Sequence, residues 1–178
     1  MWRSLAVLLA CVAIGSASAR AHPKPPASGL TMEQLKNTTY KAAFFEEDHE
    51  LRDGHWERQV QFSALKVVET LDLMTAAFGD LNGDGIPDAA VVLGASGGGS
   101  GGFMELAPVL NRGGRPVSLD TVGLGDRSRI QSLTISNGKI AVSMLISAES
   151  DPSCCPTHKV QRTYVLKGDK LVEAPAAR

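Results

Sequence analysis

The sequence predicts an α+β domain, mainly antiparallel β sheet with one short N-terminal helix. Three observations carry that expectation. Short runs with alternating apolar residues are separated by the two-residue turn signals Asp53-Gly54, Asn137-Gly138 and Gly168-Asp169, as in antiparallel hairpins. A continuous apolar run, Ala89 to Leu93, has the length and composition of a buried strand. Only Thr31 to Asn37 carries a helix signature, and it is short.

Taken from the start, the chain first announces export. Arg3 is a short positive n-region, Leu5 to Ile14 an apolar h-region, and GSASARA a small-residue cleavage region, so residues 1–21 read as a signal peptide. Cleavage after Ala19 or after Ala21 fits equally, because Ala17 and Ala19 occupy the respective third places upstream. Leu8, Leu9, Ala10 and Cys11 form a poor lipobox whose h-region would be about five residues, against the usual ~7 to 15, so soluble export is favoured over lipid anchoring through Cys11. Residues 22–28, HPKPPAS, are a Pro-rich leader, and residues 29–178 are of one-domain size. No later apolar stretch is long enough to cross a bilayer. The net charge is -1 with Lys and Arg scattered, so no basic stripe points to nucleic acid.

Within the domain, Thr31 and Gln34 have capping-box spacing. Asp53-Gly54 separates Glu50-Leu51 from Trp56 to Phe62 as a hairpin turn would. Leu65 to Leu73 fits a strand or a helical turn or two. The clearest hairpin joins Arg129 to Ser136 with Lys139 to Ser147 through Asn137-Gly138, a type I′ signal. Lys159 to Leu166 and Leu171-Val172 form a last pair around Gly168-Asp169. One antiparallel sheet with a small helical cover is the simplest assembly.

The stretch FGDLNGDGIPDAAVVL, Phe78 to Leu93, places Asp80, Asn82, Asp84 and Asp88 at the first, third, fifth and ninth places of a calcium-loop pattern. Calcium takes six to eight oxygens, and the backbone carbonyl of Ile86 is a further candidate ligand. Gly85 sits where the winding needs freedom from Cβ. The twelfth place is Val91, where an EF-hand carries a bidentate Glu, and Pro87 removes the N–H used to pair two such hands. Asp88 is therefore expected to close the shell. The loop resembles those of FG-GAP repeats, but a single copy cannot make a propeller, so the resemblance covers the site alone. The competing reading is a plain turn, the usual fate of an Asp/Asn/Gly-rich connection. In an exported compartment calcium is abundant enough to fill even a weak site.

Without Cys11 the exported chain keeps two adjacent cysteines, Cys154 and Cys155. A disulfide between them closes only a small ring, since neighbouring Cα atoms lie about 3.8 Å apart. A soft-metal site with His158 would need unusual thiolate spacing, and redox thiols usually adopt C-x-x-C. A structural turn, oxidised or not, is favoured.

Enzyme signatures are present but lack their contexts. Gly98 to Gly102 satisfies G-x-S-x-G, and Ser100, Asp126 and His158 follow the chain order of an α/β-hydrolase triad. Gly94 to Gly97 nevertheless delay the elbow, and Pro108 interrupts the segment where its helix should run. Gly97, Gly99 and Gly102 also match G-x-G-x-x-G, with no βαβ unit around them. The bland reading of this run is a hairpin loop. His49 and His55 flank Asp53-Gly54 beside Glu46, Glu47 and Asp48; they could share a metal, although such clusters are usually solvated.

LTMEQLKNTTY, FGDLNGDGIPDAAVVL, GGSGGF, LGDR, SLTISNGKIAV and DPSCCPTHKVQRTYVL together resemble a family of small bacterial exported proteins related to the mycobacterial LppP/LprE lipoproteins. The resemblance spans nearly all of the chain after the signal, with CCPT its most specific element, and it implies secretion or lipid anchoring without a particular activity. The lack of a convincing lipobox departs from the lipoprotein members. The combined expectation is an exported, non-catalytic domain with a calcium loop, structural or binding an unidentified protein or small molecule. The alternatives are a serine hydrolase using Ser100 and a thiol or metal site at Cys154-Cys155.

Overall fold

The computed structural model describes residues 29–175. The signal segment 1–21, with Cys11 and both cleavage positions, and the leader 22–28 lie outside the described residues.

Helix α1, Met32–Lys36, has the expected capping box: the Thr31 hydroxyl accepts from the Gln34 N–H at 3.2 Å, and Gln34 Oε1 accepts from the Thr31 N–H at 2.9 Å. Its one fully buried side chain is Leu35. Strands β1, Thr39–Ala42, and β2, Glu47–Glu50, form a two-stranded ribbon. A six-stranded sheet comes next, built from β3, His55–Phe62; β4, Leu65–Gly79; β5, Asp88–Ser96; β6, Phe103–Asn111; β7, Pro116–Ser118; and β8, Val122–Asp126. Its order is β3-β4-β5-β6-β7, with β8 also on β6. The last four strands are β9, Arg129–Ser136; β10, Lys139–Ile146; β11, His158–Lys167; and β12, Lys170–Glu173, ordered β12-β11-β10-β9.

Every ladder is antiparallel, so the chain is mainly β as expected. Among the described residues the helical part is a single five-residue element, and the expected single sheet is instead three. The reason lies in β5, which is buried on both faces. Ala89, Val91, Leu93 and Ala95 enter one core with Leu35, Tyr40 and Leu51, under α1 and the ribbon. Ala90 and Val92 point the other way, into a core with Ile140, Val142, Met144 and Tyr164 of the four-stranded sheet. Period-two geometry thus makes one apolar strand the shared wall of two cores.

The Asn137-Gly138 hairpin forms as read, with φ of 51° and 69° at its two turn residues, the type I′ requirement. Asp53-Gly54 has the same signs, 51° and 85°, but only the bridge Arg52–His55 flanks it. The strands on either side go to different sheets, because the Gly54 N–H donates to the Lys36 carbonyl and the Gly54 carbonyl accepts from Leu73 N–H, both at 2.8 Å. Leu65 to Leu73 is strand and not helix, the first part of the 15-residue β4. At the far end of β4, a Cβ on Gly79 would lie 2.6 Å from Ile135 Cγ2, so glycine there lets β4 press against β9.

Candidate functional site

The loop 80–87 joins β4 to β5 and is wound by its own side chains. Asp80 Oδ1 accepts from the N–H groups of Asn82 and Gly83 at 3.2 and 2.7 Å, and Oδ2 from Gly85 at 2.9 Å. These amides, Gly85 first, hold the Asp80 carboxyl below its ordinary value because they stabilise the anion. Asn82 Oδ1 accepts from the Asp84 N–H at 2.9 Å, and Asp84 Oδ1 from the Ile86 N–H at 2.8 Å. Gly83 and Gly85 have φ of 80° and 79°, which side-chain-bearing residues rarely adopt, so the winding and not crowding requires glycine.

Asp88 behaves differently from the other motif members. It is fully buried, and its Oδ2 accepts from the Leu81 N–H at 2.9 Å while Oδ1 accepts from the Asn111 N–H at 2.8 Å. Asn111 also donates from Nδ2 to the Pro87 carbonyl at 3.2 Å and accepts from Gly114 N–H. The ninth motif position, whose spacing predicts a shell-closing ligand, therefore pins the loop base to the end of β6. Among the described residues no three His, Cys, Asp or Glu side chains are grouped as a metal would need. Asp80 and Asp84 stay on the loop with Asn82, and Asp88 is directed into the core amides.

One contribution was invisible to local spacing. A cleft of about 440 Å³ separates Asp80 and Gly83 from Ile135, Ser136, Asn137 and Gly138 of the β9–β10 turn. This places the oxygen-bearing side chains of Ser136 and Asn137 beside the loop, although the two segments are far apart in sequence. Loop 80–87 offers hard oxygen donors, the kind calcium prefers, on Asp80, Asn82 and Asp84 and at the Ile86 carbonyl, and of these Asp80 lines the cleft opposite Ser136 and Asn137. Asn111 and Ser136 carry no motif, and Asn137 carries only a hairpin-turn signal, which says nothing of the loop it approaches.

The remaining candidates are scattered. Ser100 lies in the 97–102 connection between antiparallel β5 and β6, so G-x-S-x-G opens no helix, and no hydrogen bond links Ser100, Asp126 and His158 among the described residues. The Ser100 carbonyl instead accepts from Arg127 Nε, and Asp126 Oδ1 from the Gly102 N–H. Gly97, Gly99 and Gly102 share that hairpin loop, without the βαβ setting of a dinucleotide fold.

Cys154 and Cys155 are joined as a disulfide, their Cα atoms 3.8 Å apart, in the exposed loop between β10 and β11. Asp151 organises that loop, with Oδ2 accepting from the Ala148 and Thr157 N–H groups at 2.8 and 2.7 Å and Oδ1 from the Thr157 hydroxyl at 2.8 Å. His49 is buried with its ring 4.0 Å from that of Trp56, and burial lowers its pKa. His55 is exposed and bonded to Asp72 at 2.6 Å, which raises its pKa. The two imidazoles are thus tuned in opposite directions, one by an aromatic pocket and one by a carboxylate, and they join no metal-holding group with Glu46, Glu47 and Asp48.

No helix among the described residues is long and apolar enough to cross a membrane. Comparison of the chain with protein-family models, with curated proteins and with solved structures finds no match.

Proposed function

We propose that this chain is an exported, non-catalytic structural or binding domain whose loop 80–88 takes calcium. The observation that carries the reading is the Asp80 carboxylate, which collects the amides of Asn82, Gly83 and Gly85 and so winds Asp80, Asn82 and Asp84 into one turn. In this reading Asp80, Asn82, Asp84 and the Ile86 carbonyl supply ligands. Asp88 holds the base of the loop through Leu81 and Asn111. A divalent ion offsets the repulsion between carboxylates packed on one short loop. At ten times its dissociation constant it adds about 1.4 kcal/mol to the folded state by mass action.

Export is supported by the arrangement of Arg3, the apolar run Leu5 to Ile14 and the small residues before Ala21. The ordered motifs from LTMEQLKNTTY to DPSCCPTHKVQRTYVL support kinship with the exported proteins related to LppP/LprE. Melting curves with calcium and with chelator test the calcium reading. Calcium should raise the melting temperature of the native chain and leave that of Asp84→Ala unchanged; identical native curves in calcium and chelator would remove the proposal.

A further inference from the structure

We propose that the cleft beside Met74, where the six- and four-stranded sheets part, binds an amphipathic anion: a carboxylate carrying a single hydrocarbon chain. The cleft has a volume of about 390 Å³ and is lined chiefly by Met74, Thr75, Met104, Arg127, Arg129 and Ile130. That volume lies within the range of small-molecule sites, about 300 to 1,000 Å³.

Its floor is apolar and built by two irregularities. The β4–β5 register shifts between Leu73 and Thr75, leaving Met74 as the extra residue, and the β6–β8 register shifts between Met104 and Glu105. Such bulges re-aim side chains, and they occur often beside binding sites. Both methionines lie over the bare backbone of Gly94, where a Cβ would come within 3.2 Å of Met74 Sδ and 3.4 Å of Met104 Cε. Met74 is 56% exposed, a large apolar side chain left at the surface, whereas Met104 and Ile130 pack against the second core. Thioether side chains adapt to flexible apolar ligands.

The rim supplies the charge. No carboxylate lines the cleft. Arg127 is held by its Nε donation to the Ser100 carbonyl at 3.1 Å and by Asp126 at 3.5 Å. Arg129 makes no side-chain hydrogen bond or ion pair among the described residues. A guanidinium with all its donors open, at the edge of an apolar floor, matches a carboxylate head attached to a hydrocarbon tail. A bare phosphate would leave the floor unused, and a cationic amphiphile would meet two like charges. The site lies apart from loop 80–88 and does not depend on calcium.

The test is a decanoate titration of the full chain carrying 13C-methyl methionine, monitored by NMR. Saturable shifts are expected at the Met74 and Met104 methyls and not at Met32 or Met144, with no response to acetate or to decyltrimethylammonium. Arg129→Glu, at an exposed side chain without partners, should weaken decanoate binding about tenfold or more, and Arg129→Lys should retain part of it. Absence of saturable shifts, equal binding of the cationic amphiphile, or an Arg129→Glu affinity equal to the native one would each overturn the proposal.

Discussion

Two loops in this molecule are organised by the same device and end in different situations. In each, one aspartate collects donors from its own loop: Asp80 takes the amides of Asn82, Gly83 and Gly85, and Asp151 takes those of Ala148 and Thr157 with the Thr157 hydroxyl. Both carboxyls are held below their ordinary value by those donors. The Asp151 loop is closed by these bonds, and the Cys154-Cys155 bond adds a local stiffener. The loop at Asp80 carries a second carboxylate, Asp84, an amide oxygen on Asn82 and a third, buried carboxylate at its base. An aspartate that gathers amides is thus a common way to shape a turn. The surplus of oxygens beyond what the turn needs is what the proposed cation site rests on.

The largest way to disturb this contrast is Asp88→Ala. It removes the carboxylate that the buried Leu81 and Asn111 amides bond, at a cost of roughly 1 to 3 kcal/mol or more from the Leu81 amide alone, measurable by denaturant unfolding. Calcium comes next: about 1.4 kcal/mol at ten times its dissociation constant corresponds to a rise of about 3 to 6 °C in melting temperature, seen in the native chain and Asp151→Ala but not in Asp84→Ala.

Acid sharpens the likeness between the loops. Both aspartates have folded pKa values depressed from 3.8, so their contribution is complete above the unfolded value and fades as pH falls through the folded one. In chelator, the stability difference between native protein and Asp80→Asn should therefore narrow below about pH 4, and Asp151→Asn should behave alike. Added calcium should move the onset of the narrowing to lower pH for Asp80→Asn alone. The smallest effect is expected from Cys154→Ser with Cys155→Ser, at most about 1 kcal/mol, because the bond closes no long loop. A larger loss on denaturant unfolding would show that the cysteines brace more than their turn.

Local features were the legible ones in the sequence. Thr31 and Gln34 form their capping box, Asn137-Gly138 its turn, and Ala89 to Leu93 a buried strand, because each depends on neighbours in the chain. Asp53-Gly54 adopted its turn geometry without making a ladder, since pairing of the flanking strands was decided by Lys36 and Leu73. The β3–β4 hairpin turns at Ser63-Ala64, a pair with no type I′ signature, and Ser63 takes a φ of 55°. The division into separate sheets was hidden because a strand buried on both faces loses the alternation that marks a single core. At the site, motif spacing picked out the loop residues, whereas the bond of Asp88 to the Asn111 amide and the approach of Ser136 and Asn137 come from distant parts of the chain. Glu105 was likewise unmarked: this buried carboxylate accepts from the Ala43 and Phe44 amides and from Thr121, fixing the ribbon to the main sheet.

A calorimetric calcium titration of the native chain, Asp84→Ala and Asp151→Ala at neutral pH tests the distinction between the two loops most directly. One saturable site is expected in the native chain and in Asp151→Ala, and none in Asp84→Ala. Absence of binding to the native chain, or equal binding by Asp84→Ala, would contradict the assignment of loop 80–88 as a calcium site.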